Sequence, residues 1–267
     1  RQAFTLIELL VVISIIALLM AILMPALLSA KEQGRAVVCR SNIRQLVLAN
    51  IGYVTENDDH FVPAAPDMYP TGANNRRWYG VREDNNSPYD SLKGPLVDYL
   101  GDGKVKKCPE KVRFVKGQAW SVNFEQGGDG YGYNMTYIGS SLWQNGGVEN
   151  YQRTTKTTEV VRTAGTLMFA DCAMVNKESP DTPPYLHEYP FAEPPFAIYN
   201  GQLITSFYMS PSVHFRHRGR ANIGWCDGHI SSAERIDYGD TNAYGVKSAD
   251  FDIGWFGSLD NSLYDLK

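Results

Sequence analysis

The residue with the clearest chemical demand in this chain of 267 residues is a single carboxylate, Glu8. It immediately precedes the run 9–30, LLVVISIIALLMAILMPALLSA, which contains no charged residue. An α-helix of that length covers about 33 Å, which is enough to cross the roughly 30 Å hydrocarbon core of a bilayer. A charged group at the edge of a membrane span is costly unless it is paired, so Glu8 is a candidate functional residue.

The apolar run is open to three interpretations: a cleaved secretory signal, a plain membrane anchor, or the helix of a polymerising subunit. A secretory signal has an apolar stretch of about 7–15 residues without an acid inside it. The run 9–30 is longer than that and directly follows Glu8. A plain anchor gives this carboxylate no role, so the third interpretation is favoured.

Residues 4–12, FTLIELLVV, resemble the prepilin-type cleavage and methylation motif of type IV pilins. The resemblance implies cleavage between Ala3 and Phe4, although the family usually has glycine where this chain has Ala3. It also implies methylation of the new N-terminal amine and pairing of Glu8 with the amine of a neighbouring subunit, which offsets the desolvation of both charges. Pro25 lies where many type IV pilins have a proline, which implies local kinking or unwinding in a filament.

The pattern after the apolar run predicts a stalk followed by a head. Apolar residues recur at spacings of three and four in the segment 31–55, so the helix is expected to continue in amphipathic form. These residues are Ala36, Cys39, Ile43, Val47, Ile51 and Val54. We therefore expect a leader remnant at 1–3, a membrane or filament-core helix at 4–30, its amphipathic continuation at 31–55, and a globular β-rich head at 56–267.

The head has the texture of strands and loops, with clusters of Gly, Pro, Asn and Asp. Strands are predicted at 166–170, 204–209 and 221–226, the last ending in a two-residue hairpin turn at Asp227 and Gly228. The Pro-rich tract 180–195 is predicted to be a surface loop. The expected fold class is α+β, a type IV pilin-like layout with one long N-terminal helix packed on an antiparallel β-sheet head.

The head carries a second resemblance. The segment 39–46, CRSNIRQL, and the spacing from His217 to Asp227 and Gly228 are similar to the prepilin-like family named for a His, nine residues and then Asp-Gly. The segments 107–109 and 131–134 resemble further parts of that family. The resemblance says little about chemistry, and a structural role is expected for His217, which would hydrogen-bond the hairpin or a nearby loop.

Metal binding is left open by the sequence. Imidazole, thiolate and carboxylate groups suit transition metals, and three histidines lie near Cys226 and Asp227 in sequence. These histidines are His214, His217 and His229. The loops 98–103 and 237–242 could supply oxygen ligands for calcium, which related pseudopilins bind, but neither matches an EF-hand, and ordinary turns explain them. No cofactor is expected.

The four cysteines contain no C-x-x-C pair, so the sequence gives no support for a zinc ribbon or a thioredoxin-type site. Export to an oxidising compartment would favour disulfides. The pairing considered first is Cys39 with Cys108 and Cys172 with Cys226. Free buried thiols are the alternative, and the sequence does not choose between them.

The expected function is structural, and the chain is not expected to be an enzyme. Its net charge of -4 gives no indication of a nucleic-acid partner, and no nucleophile elbow, P-loop or dinucleotide fingerprint occurs. We expect a subunit of a type IV pilus-like or pseudopilus filament, a helical homo-oligomer that depends on a prepilin peptidase and assembly machinery. It would lie in the inner membrane before assembly and then in an extracellular or periplasmic filament.

The alternatives are a minor pilin-like surface protein whose head binds a ligand such as polysaccharide, and a membrane-tethered metal-dependent enzyme that uses His214, His217 and His229.

Overall fold

The N-terminal fifth of the described chain is one long helix. The computed structural model describes residues 5–68, 72–110, 112–115, 127–147, 150–236, 238–239 and 241–267. Helix α1, Leu6–Glu56, has 51 residues, which corresponds to a length of about 77 Å. It continues without a break through Pro25 and ends at the C-cap residue Asn57. The predicted helix is therefore confirmed over both of its parts.

The head is built from short strands joined by long connections. The strands are β1 Arg76–Arg77, β2 Gly80–Val81, β3 Tyr131–Tyr133, β4 Leu167–Asp171, β5 Met174–Asn176, β6 Tyr185–His187, β7 Ala197–Tyr199, β8 Gln202–Ile204, β9 Val213–His214, β10 Arg220–Trp225, β11 Ile230–Glu234 and β12 Ile253–Gly254. A π-helical turn, Met135–Gly139, and a one-turn helix α2, Leu142–Asn145, follow β3. Single 3-10 turns occur at Ser91–Lys93, Val97–Tyr99, Thr157–Glu159 and Ser248–Phe251.

The central element of the head is a four-stranded antiparallel sheet with the order β11-β10-β4-β3. Strand β10 pairs with β4 so that Ile223 lies opposite Ala170, and with β11 so that Gly224 lies opposite Ile230. The other strands form two-stranded antiparallel pairs: β1-β2, β5-β6, β7-β8 and β9-β12. The predicted α+β layout, a long helix on an antiparallel sheet, is confirmed.

The second half of α1 lies across this sheet and closes the core. Its buried residues are Cys39, Asn42, Ile43, Leu46, Val47, Ala49, Asn50 and Val54. This face is wider than the predicted stripe, because Asn42 and Asn50 are buried with hydrogen-bond partners in the head. Packing is closest at Gly224 of β10, where an added Cβ would lie 2.6 Å from Val47 and 2.8 Å from Ile43.

Three local predictions for the head are wrong or incomplete. The predicted strand 204–209 ends at Ile204 in β8, and the residues after it form no ladder. The tract 180–195 contains strand β6, and its last six residues are buried rather than on the surface. The hairpin after β10 has a three-residue loop, 226–228, because Trp225 accepts a hydrogen bond from Gly228 and donates one to His229. Gly228 has a φ of 94°, the glycine position that such a loop requires.

Candidate functional site

The N-terminus of α1 is capped by Thr5 and by the carboxylate of Glu8 in its first turn. Thr5 is the N-cap, and its backbone amide and hydroxyl donate to Glu8 at 2.8 and 2.7 Å. The amide of Glu8 donates to the Thr5 hydroxyl at 3.3 Å, which completes a capping box. Ala3 and Phe4, the predicted cleavage and methylation positions, lie outside the described residues. Glu8 therefore has a partner within its own helix in the isolated subunit.

The first half of α1 presents its apolar side chains to the surroundings on every side. Residues 5–28 are all exposed, including Leu6 at 79% and Leu27 at 69%. By length and composition α1 is able to cross a membrane, and none of its most apolar window is buried by the rest of the molecule. A helix that is apolar all round needs a nonpolar environment supplied from outside the chain.

Polar contacts mark the point where α1 meets the head. Arg218 donates to the hydroxyl of Ser29 at 3.1 Å and lies 3.9 Å from the carboxylate of Glu32. Arg35 forms a half-buried ion pair with Glu110 at 3.2 Å. We call the exposed residues 5–28 the stem and the polar segment 29–35 the collar. The collar lies immediately before the buried face of the helix begins.

Four side chains with metal-ligating atoms converge just past this collar. We call them the junction cluster: Cys39 of α1, Cys108 of the segment before β3, Asp171 at the end of β4, and His217 between β9 and β10. Their Sγ, carboxylate and imidazole atoms all lie within 4.8 Å of one another, and all four residues are buried. Within the described part of the chain this is the one such group of three or more.

Hydrogen bonds hold the cluster together. The thiol of Cys39 donates to Oδ1 of Asp171 at 2.9 Å, and Nε2 of His217 lies 3.2 Å from Oδ2 of the same carboxylate. The backbone amide of Asn222 donates to that Oδ2 at 2.7 Å. The distance between Sγ of Cys108 and Nε2 of His217 is 3.8 Å. Asp171 is therefore the centre of the network, and each of its oxygens has a partner.

The electrostatics of the cluster favour the ionised forms of Cys108, His217 and Asp171, whereas burial, with contributions from Cys108 and Asp171, raises the pKa of Cys39 and keeps it a neutral thiol. Hydrogen bonding with Cys39, opposed by burial and helped by His217 and the charge of Arg216, lowers the pKa of Cys108 to about 5. Burial lowers the pKa of His217, but hydrogen bonds with Asp171 and Cys108 outweigh it and raise that pKa to about 9. Burial raises the pKa of Asp171, and its contacts with His217 and Arg216 bring it below the ordinary value.

The structure corrects one of the two predicted cysteine pairings. All four cysteines are free and buried. Strands β4 and β10 are antiparallel, and the amide of Cys226 donates to the carbonyl of Thr166, which directly precedes β4. Cys172 directly follows Asp171, the last residue of β4, so the two cysteines lie at opposite ends of this strand. Six residues of extended chain span about 20 Å, so a Cys172–Cys226 disulfide is excluded. Cys39 and Cys108 do lie together as predicted, but without a bond between them.

The three histidines near Cys226 in sequence do not come together in the structure. His214 is paired into the β9-β12 ladder, and His229 immediately follows the hairpin loop, where it contacts Asp227 at 2.6 Å and stacks on Trp225. His217 and Asp227 lie near opposite ends of β10, so the nine-residue spacing brackets a strand and does not build one site. His217 bonds Asp171 rather than the hairpin.

The loops considered for calcium show ordinary contacts where they are described. Asp102 forms an ion pair with Lys106 at 3.3 Å, and neither Asp98 nor Asp102 belongs to the junction cluster. Residues 237 and 240 of the second loop lie outside the described residues. The interpretation of both loops as ordinary turns, with calcium binding as the alternative, stays a prediction.

A separate cleft opens on another side of the head. Its volume is about 680 Å³, and its lining is mostly apolar with a few buried polar groups, among them His187 and Glu193. The aromatic residues of this lining are Trp143, Tyr189, Phe191, Phe207, Tyr208 and Tyr244. The sequence did not indicate the cleft, because these residues come from segments far apart in the chain.

Comparison with known proteins supports the interpretation of the N-terminal helix. A family model described as the prokaryotic N-terminal methylation motif matches residues 1–24. No curated protein and no solved structure matches the chain. The match supports a type IV prepilin-like protein, a pilin or pseudopilin, which agrees with the α+β layout described above. It implies processing by a prepilin peptidase and, with the apolar helix, fits membrane anchoring before assembly. The resemblance of the head to the His-(nine residues)-Asp-Gly family is not confirmed and stays a prediction.

Proposed function

We propose that the protein is a structural, non-enzymatic subunit of a type IV pilus-like or pseudopilus filament that polymerises through α1. Before assembly the stem would lie in the inner membrane, with the head outside the lipid. After cleavage by a prepilin peptidase, assembly machinery would transfer it to a helical homo-oligomer on the cell surface or in the periplasm. The apolar stems would then form the filament core, and the heads its outer surface.

The observation that carries this proposal is the combination of a stem exposed on all sides with one carboxylate at its start. The head covers none of residues 5–28, so their apolar surface requires lipid or other copies of the stem. Glu8 is capped by Thr5 in the isolated subunit. In the filament core, where water is excluded, the N-terminal amine of a neighbouring subunit would pair with this carboxylate and offset the desolvation of both charges. Because the two groups meet at only one axial position of the stem, subunit addition would depend on that position.

The test is the variant Glu8→Ala in cells that contain the assembly machinery. The loss of the capping box removes about 0.5–2 kcal/mol at one helix end, so the protein should still fold and insert. Leaving a buried amine without its partner costs about 3–5 kcal/mol, and we expect assembled material to fall by about a hundredfold or more. Negative-stain microscopy and quantification of the sheared filament fraction measure the assembly.

Glu32→Ala is the matched control, because Glu32 is an exposed acid of the same helix with only a long contact to Arg218. It should assemble normally. Membrane fractionation shows whether each variant is inserted. Filaments in normal amount from inserted Glu8→Ala protein would refute the proposed role of this carboxylate.

A second candidate function, favoured by the aromatic cleft, is that of a minor pilin-like subunit whose head binds a ligand such as polysaccharide. Concave sites with aromatic walls and a few polar groups are typical of ligand binding. The two candidates share the stem and its assembly. They differ in whether the cleft binds a ligand in the assembled protein.

A further inference from the structure

We propose that the junction cluster is a structural zinc site that fastens the stalk to the head. The proposal is independent of the filament assignment, because it rests on four side chains of the folded subunit. It departs from the expectation that the protein has no cofactor. Of the three histidines near Cys226 that the sequence left open as metal ligands, the site uses His217 alone.

The donor set matches the preference of zinc. Two sulfurs, one imidazole nitrogen and one carboxylate oxygen are ligands that zinc accepts in four-coordinate sites. Zinc bonds of about 2.0–2.3 Å place neighbouring ligand atoms of a tetrahedron roughly 3.3–3.8 Å apart. In the structure, Sγ of Cys39 lies 2.9 Å from Oδ1 of Asp171, and Sγ of Cys108 lies 3.8 Å from Nε2 of His217. Nε2 of His217 lies 3.2 Å from the other carboxylate oxygen, Oδ2, and one ligand atom from each of the four residues lies within 4.8 Å of the others. Shifts of up to about 1 Å would bring these atoms to metal-binding distances.

The charge of the surroundings also fits a divalent ion. Two thiolates and a carboxylate carry three negative charges, so a bound zinc ion would leave one in excess. The guanidinium of Arg216 interacts with Asp171 and Cys108 and supplies the balancing positive charge. Without a metal, four polar groups share a buried space in which charged groups are costly unless they are fully compensated.

One ligand of the cluster has a hydrogen-bond donor that would support it from outside the metal site, and another has none among the described residues. Oδ2 of Asp171 accepts the Asn222 amide, which leaves Oδ1 for the metal and fixes the carboxylate, as ligating carboxylates require. Nδ1 of His217 is buried and has no partner among the described residues, so that side of the shell is open. A groove of about 380 Å³, lined in part by His217, Arg40 and Arg218, gives an ion a route to the cluster.

A closed site of four protein ligands is structural rather than catalytic, since no coordination position is left for water or substrate. One ligand comes from α1 and three come from the head. The metal would thus cross-link the end of the stalk to strand β4 and to the segments before β3 and β10. Its expected effect is on the stability of the stalk–head junction.

The competing state of the cluster is a disulfide between Cys39 and Cys108, which would consume both sulfurs and leave Asp171 with His217 and the Asn222 amide as partners. The full chain, purified in detergent without chelator or reductant, distinguishes the two states. Elemental analysis should give one zinc per chain, and peptide mapping after blocking should recover Cys39 and Cys108 as thiols. Replacement of zinc by cobalt should give the intense visible bands of a tetrahedral site with thiolate ligands. A native Cys39–Cys108 disulfide, or reduced protein that retains no zinc after loading, would overturn the proposal.

Variants locate the site. Asp171→Asn and His217→Ala should weaken zinc binding by more than the roughly 10–100-fold that loss of an outer-shell group causes. Cys226→Ser and His229→Ala are matched controls, because they remove a cysteine and a histidine outside the cluster, and they should keep one zinc per chain. If a cluster variant fails to fold, removal of zinc from the native protein by a chelator is the decisive measurement. It should lower the Tm reversibly, and an unchanged Tm would contradict a structural role.

Discussion

The closest approach between stalk and head predicts how sensitive their packing is to a single methyl group. Gly224 of β10 lies under α1, and a Cβ at this position would be 2.6 Å from Cγ2 of Val47 and 2.8 Å from Cγ2 of Ile43. Favourable contacts between carbon atoms lie at about 3.5–4.0 Å, so Gly224→Ala would force a separation of about 1 Å. Both neighbours are β-branched with stiff χ1 angles, and neither can rotate away easily.

The expected cost of Gly224→Ala follows from this overlap. Overpacking of a core by one methyl group typically costs about 1–3 kcal/mol. For a domain the size of the head, each kcal/mol lowers the Tm by about 2–4 °C, so we expect a decrease of about 2–12 °C. Thermal unfolding of the full chain in detergent, followed by near-ultraviolet circular dichroism of the buried aromatic residues, measures the change.

Two further variants make this prediction specific. Gly34→Ala places the same methyl group on α1 where, apart from the adjacent residues and the nearby backbone of the helix itself, no described atom lies within 4 Å, and it should be neutral or stabilising by up to about 1 kcal/mol. Val47→Ala combined with Gly224→Ala should restore part of the lost stability, with a coupling of about 0.5–3 kcal/mol. An unchanged Tm for Gly224→Ala, or additive effects in the double variant, would show that α1 does not pack on β10 as described.

Two predictions concern the aromatic cleft. Burial raises the pKa of Glu193, although the hydrogen bond from Tyr189 lowers it in part. The contribution of Glu193 to the free energy of unfolding is therefore most favourable below the ordinary carboxyl pKa, and it is lost as the pH rises through the raised value. Glu193→Gln should therefore be more stable than the native protein at pH 7, by on the order of 1 kcal/mol, and not at pH 4; equal stability differences at both pH values in thermal melts would contradict this. If the cleft binds polysaccharide, Trp143→Ala should weaken binding by at least about tenfold, or about 1.4 kcal/mol, in fluorescence titrations, whereas Tyr199→Ala, an exposed aromatic outside the cleft, should not. Equal binding by both variants would remove the cleft as the binding site.

The parts of the fold that the sequence predicted well are those whose signal is local. The stem is a run without charge, and the amphipathic segment repeats its apolar residues with helical spacing. Strands β4 and β10 are short apolar runs that end in turn residues, and the antiparallel pairing of β10 with β11 follows from the Asp227-Gly228 turn between them. Each of these patterns depends on neighbours within a few residues.

The Pro-rich tract shows why composition misled the prediction elsewhere. Proline lacks a backbone donor, but its carbonyl oxygen accepts normally. The carbonyl of Pro190 accepts hydrogen bonds from the amide of Tyr133 at 2.9 Å and from the indole of Trp78 at 2.8 Å. The amide of Ala192 in turn donates to the carbonyl of Tyr133 at 2.9 Å. Residues 190–195 are therefore buried and hydrogen-bonded beside β3, which a count of prolines cannot reveal.

The junction cluster could not be predicted because its members are distant in sequence. Cys39 and Asp171 are 132 positions apart, and Cys108 and His217 are 109 apart. The sequence instead drew attention to His229 and Cys226, which are close to His217 along the chain. An extended strand of six residues covers about 20 Å, so β10 carries these two residues away from it. The signal that was available was the matching chemistry of two inward cysteines, one of them on the buried face of α1.

The position of the cluster suggests what a stalk of this kind requires at its junction. The stem needs a nonpolar environment, and the head needs water, so α1 must change surroundings within about two turns. The collar at Ser29, Glu32 and Arg35 occupies those turns, but two of its three contacts are exposed and contribute little. In the proposed filament, any pull on a head is transmitted through this short segment. A buried cross-link at Cys39, the first buried residue of α1, would hold where exposed ion pairs do not.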